Sequence, residues 1–122
     1  MADLLPPGWP PGVLPPQVPD WEQSAVAWLL DLCPPDYRAQ AVLRRHPIVL
    51  ARFAAGHVEA GVQAARNGLK GLRAELRGLV APEVVDAALA AYDQEGRRLV
   101  QAGRQIALVD AALRGQRWVP RL

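Results

Sequence analysis

The chain has 122 residues, 51% of them hydrophobic and 21% charged, with a formal net charge of +2. That is the composition of one folded domain, not of a disordered segment. A single Cys excludes an intrachain disulfide, and one Ser, no Thr and two His leave no material for a hydroxyl- or thiol-based catalytic triad.

No apolar run approaches the ~20 residues that span a bilayer, and no charged-then-apolar leader opens the sequence. A cytoplasmic protein without a membrane segment is therefore expected, with Cys33 a buried thiol. The charge is uneven: residues 1–35 carry four acids and no Lys or Arg, and the remainder carries fourteen bases and eight acids. Opposite halves of this kind suit intramolecular pairing.

Seven of the twelve prolines fall in the first 19 residues. Each fixes φ and removes a backbone donor, which predicts an extended, largely polyproline II arm over 1–19. Trp9, Val13, Leu14 and Val18 would anchor it to the body; the alternative is an exposed ligand for a partner's aromatic groove. Asp20, with Gln23 three residues on, reads as a capping box opening a helix over 20–32. Trp21, Ala25, Trp28, Leu29 and Leu32 share one face of it, and Pro34-Pro35 stop it. A shorter helix is expected over 37–45, capped by Asp36.

Pro47 suits the first turn of the next helix. From there Ile48, Ala51, Ala55, Val58, Val62, Ala65, Leu69, Leu72, Leu76 and Leu79 recur in alternating steps of three and four, a heptad seam. Ala81-Pro82 interrupts it. A second seam follows through Val85, Ala88, Tyr92, Glu95, Leu99, Ala102, Ile106, Val109 and Leu113, and Gly115 is a stop signal. Helices over 47–80 and 82–114, each ~50 Å long and joined by so short a turn, must run antiparallel.

With Leu79 facing Val85, Arg77 falls near Asp86, Lys70 and Arg73 near Asp93, and Arg52 near Asp110. The basic stripe Arg66, Lys70, Arg73, Arg77 is thereby explained as hairpin chemistry. Glu95, the one polar seam residue, would reach Arg66 or Arg98. Near the base both helices are apolar on nearly every face and need cover, which the first helix would supply. The expected fold is all-α: a long antiparallel, coiled-coil-like two-helix hairpin, with a short N-terminal helix and the proline-rich arm packed on its base. The domain runs from 20 to 115, and 116–122 form an extended tail.

No cofactor or metal set is evident: His46 and His57 lack further ligands at turn-related spacing. Gly61, Gly68, Gly96 and Gly103 lie beside the seam, where missing side chains allow close approach of a helix. With Trp118 in the tail they are the candidate contacts for a protein partner or a second copy. Arg44, Arg45, Arg97, Arg98 and Arg104 are the candidates for a nucleic-acid-associated role. A pocket lined by Trp21, Trp28 and Phe53 would suit a small-ligand carrier or an enzyme.

The segments PDWEQSAVAWLLDLCPPDYR and LRRHPIVLARFAAGHVEA, with the closing WVPRL, resemble a family of small uncharacterised helical proteins from high-GC actinobacteria. The use of Arg over Lys, 13 to 1, agrees with such a genome and weakens the Arg count as a sign of function. The resemblance implies a fold and no activity or site residues. The leading expectation is a non-enzymatic interaction protein, docking through the hairpin tip or an apolar face beside the seam.

Overall fold

A computed structural model describes residues 5–121; the arm's first four residues and Leu122 lie outside the described residues. The chain is all-helical, with no strand among the described residues. Helix α1 spans Trp21–Asp31, a 3₁₀ turn Pro35–Ala39, α2 Ala41–Arg45, α3 Pro47–Leu76 and α4 Pro82–Leu113. The long pair α3 and α4 packs along its length, and α1 and α2 pack on α3 at the base. The single helix expected over 37–45 is split at Gln40, whose extended backbone (φ −88°, ψ 107°) separates the 3₁₀ turn from α2.

The arm departs from the polyproline II expectation. It is a succession of hydrogen-bonded turns, in which Trp9, Val13, Val18 and Trp21 donate their N–H to Pro6, Pro10, Pro15 and Val18. Each turn places a proline at its second position, where φ near −60° is already set. In three of them the third residue has positive φ: Gly8 at 86°, Gln17 at 74° and Asp20 at 67°, as a type II turn requires.

Asp20 therefore does not cap α1 with its side chain; its left-handed backbone belongs to a turn, which overturns the capping box. Ser24 ties arm to helix instead, its Oγ accepting from Leu14 N–H at 3.0 Å while its hydroxyl donates to the Trp21 carbonyl at 2.6 Å. Trp9 donates Nε1–H to the Val13 carbonyl at 2.9 Å, and Val13 and Pro10 are buried. The arm is a packed part of the base.

The core lies there too. Val13, Leu29, Leu43, Leu50, Ala54, Val58, Ile106 and Val109 form one cluster, with Trp9, Trp21 and Trp28 packed against it. Fully burying a Leu or Ile side chain contributes ~1.5–3 kcal/mol. On α3, Leu50 and Ala54 are buried beside Ala51 and Val58 because α1 covers a second face of the helix. That cover is one-sided: Ile48, Val49 and Phe53 stay exposed, with Phe53 edge-on to Tyr37 at 5.8 Å between ring centres.

The hairpin closes earlier than the sequence pattern predicts. Arg77 (φ −57°, ψ 126°) and Gly78 (φ 76°) form a type II turn closed by the Leu79 N–H on the Leu76 carbonyl at 3.0 Å. Helix α3 ends there, and Leu79 is 74% exposed instead of in the seam. The facing positions move by about one helical turn in consequence. Gly68 meets Tyr92, Gly61 meets Leu99 and Gly103 meets Val58.

The expected charge matching falls with the old register. Asp86 pairs with Arg73 at 2.7 Å instead of Arg77. Asp93 pairs with Arg97 and Asp110 with Arg114, each along α4 itself. At the far end α4 finishes in a Schellman motif: the Gly115 N–H (φ 84°) bonds the Ala112 carbonyl and the Gln116 N–H the Ala111 carbonyl, both at 3.0 Å.

Candidate protein-interaction groove

The two halves of the hairpin differ in what they bury. From Arg66 round the turn to Gln101, Val85 alone is buried. Leu69, Leu79, Val80, Val84 and Tyr92 are all exposed there. A two-helix segment with so little core has little tertiary packing to hold it, and helices draw most of their stability in proteins from such packing.

On one face of this segment the trough between α3 and α4 is open. It has a volume of about 370 Å³, with Val62, Ala65 and Leu69 of α3 and Gly96 and Val100 of α4 as its floor. These recur at steps of three, four and seven, so each helix turns one continuous stripe toward the trough. Arg66 stands on one bank and Arg97 and Arg104 on the other. Arg97 is engaged by Asp93 at 3.1 Å. Arg66 and Arg104 have no carboxylate within ion-pair distance among the described residues. Lys70 and Arg73 continue the Arg66 stripe along α3 toward the tip, at the fourth and seventh positions, and of these Arg73 is paired, with Asp86.

The glycines expected on a partner-binding flank serve the hairpin itself. A Cβ on Gly61 would lie 2.9 Å from Leu99 Cδ1, and one on Gly68 2.7 Å from Tyr92 Cζ. The vacated space is therefore filled from within the chain. Gly103 faces Val58, and Gly96 faces Ala65 while also lining the groove floor. Trp118 lies in the non-helical tail at 40% exposure.

The five candidate nucleic-acid arginines do not form one surface. Arg44 and Arg45 line a separate base cleft of about 320 Å³ that also holds Glu22. Arg97 and Arg104 belong to the hairpin groove. Arg98 is held by Glu95 at 2.6 Å, and that hydrogen bond, with a smaller contribution from the Arg98 charge, keeps the Glu95 carboxyl below its ordinary range against a slight burial effect. Trp21, Trp28 and Phe53 line neither the groove nor the base cleft. Trp21 and Trp28 are packed against the core.

Among the described residues no cluster of His, Cys, Asp and Glu could hold a metal ion, and no helix is long and apolar enough to cross a membrane. Burial pushes the Cys33 thiol up, with the Arg38 charge partly opposing. The groove residues Val62, Arg66, Leu69 and Val100 were within reach of the sequence as a set. Their signal is Val62 and Leu69 within the seam with Arg66 beside it, hidden by a register that assigns Arg66 and its stripe to carboxylates on α4. Comparison with family models, curated proteins and solved structures found no match to this chain.

Proposed function

We propose that this chain is a non-enzymatic, cytoplasmic interaction module whose hairpin is completed by a protein partner. The observation that carries the reading is the contrast between base and tip: the base holds the core cluster, while Val85 alone is buried from residue 66 to residue 101. Exposed apolar side chains gathered in one place mark interaction surfaces. Leu79, Val80 and Val84, at 74%, 39% and 51% exposure, gather at the turn of the hairpin. A partner laid on this half would supply the third layer that the two helices lack.

Affinity capture with the intact chain, beside a Leu79→Ser/Val84→Ser variant, tests the reading. Neither side chain is buried, so the variant keeps its fold. The reading expects one reproducible protein retained by the native chain and lost with the variant, from a chain that is monomeric by light scattering. Equal retention by both, or none, contradicts it. A stable dimer abolished by the variant would replace the foreign partner with a second copy.

A further inference from the structure

We infer that the groove between α3 and α4 takes an acidic amphipathic helix of a partner protein, as a third helix laid antiparallel or parallel to the pair. The inference rests on the interaction-module reading and names the partner's chemistry. The groove floor is apolar, formed by Val62, Leu69 and Val100 among others, and its banks carry Arg66 and Arg104 without carboxylate partners. Such a site wants two things from its occupant at once: apolar side chains for the floor and carboxylates for the banks.

An amphipathic helix with Leu at i, i+3, i+4 and i+7 and Glu flanking that stripe meets both demands. The lining runs from Val62 to Leu69 on α3 and from Asp93 to Arg104 on α4, that is ~10 and ~16 Å at a rise of 1.5 Å per residue, which accommodates two to three helical turns. Arg presents a planar fork suited to bidentate carboxylate contacts. A nucleic acid would meet the same cations but would have no use for the apolar floor, since phosphates gain nothing from Val and Leu. A second copy is the poorer match by charge. The groove lining carries Arg66, Arg97 and Arg104 against one acid, Asp93, which Arg97 engages, and two such faces repel.

The test uses a fluorescent, end-capped helical peptide of about 18 residues with a Leu stripe flanked by Glu. Beside it run the same peptide with Gln for Glu, the same with Lys for Glu, and a duplex oligonucleotide. Each is titrated by anisotropy against the native chain and against Arg66→Glu/Arg104→Glu, whose sites are exposed so that circular dichroism should be unchanged.

The expected result is saturable binding of the Glu peptide, weakened about tenfold or more by the double charge reversal. The Lys peptide then prefers the reversed variant. Absence of Glu-peptide binding, equal binding of the Glu and Gln peptides, or stronger binding of the oligonucleotide through the same arginines overturns the inference. The interaction-module reading survives those results when the capture experiment still depends on Leu79 and Val84, and falls separately when it does not.

Discussion

Tyr92 lies over Gly68 so closely that a Cβ there would sit 2.7 Å from the ring's Cζ. The pair locks the facing of α3 on α4 in the half of the hairpin that has almost no core. Gly68→Leu gains ~1 kcal/mol of helix propensity but must expel the ring, and overpacking of this kind costs about 1–3 kcal/mol. A net loss of stability is expected in chemical denaturation. The loss should shrink in the Tyr92→Ala background, the coupling that a double-mutant cycle reads. Gly103→Ala is the control. Its Cβ would meet Val58 Cγ1 at an ordinary 3.8 Å, so it should stabilise by ~0.5–1 kcal/mol.

Gln17 holds φ at 74° in a turn that suits glycine. The left-handed region costs a residue with a Cβ about 1–2 kcal/mol, partly offset by the greater freedom of glycine in the unfolded chain. Gln17→Gly should therefore raise the denaturation midpoint, by roughly 0.5–1 kcal/mol. A lowered midpoint would mean that the turn is not formed as described.

Why the hairpin was legible and its register was not is itself physical. Seam positions such as Val58, Val62, Val85, Ile106 and Val109 are buried as their three-and-four spacing requires. Pro47 and Pro82 open their helices, because a missing N–H costs nothing in a first turn. The apolar repeat, however, runs on through Leu79 and past Gly78. One glycine in the left-handed region ended α3 early and moved the charge partners along with it. The same shift opens the groove, because the register of the apolar repeat pairs Arg66 and its stripe with carboxylates of α4. The arm misled differently, since proline pairs suit turns as well as polyproline II, and only the residues that follow decide between them.

The two registers separate at Leu79, with Val85 buried in both as the reference. In the structure Leu79 is 74% exposed and Val85 is buried. Leu79→Gln should change stability by no more than ~0.5 kcal/mol. Val85→Ala, which removes two buried methyl groups, should cost about 1–2.5 kcal/mol. A large penalty at Leu79 would restore the longer α3.

Two groups set expectations for pH. The Cys33 thiol is pushed up by burial, so it stays protonated at neutral pH and should react with iodoacetamide more slowly than a free peptide thiol. Because its folded pKa is raised, its contribution to stability is present below the unfolded value and is lost as pH rises through the folded one. The Glu95 carboxyl is held down by its hydrogen bond to Arg98. Its contribution is present above the unfolded carboxylate value and is lost as acid takes the pH through the lowered one. The pair is exposed and contributes only ~0.2–0.5 kcal/mol. Glu95→Gln should accordingly flatten the acid limb of the stability curve slightly and leave the neutral plateau almost in place.

Hydrogen exchange on the free, intact chain measures the unequal halves directly. Amides of α1 and of the base of α3 and α4, which surround Leu29, Leu50 and Ile106, should exchange only on global unfolding. Those between residues 66 and 101 should exchange at least about tenfold faster, through opening of the tip alone. Uniform protection along both long helices would contradict the account, because the tip would then need no partner to complete it.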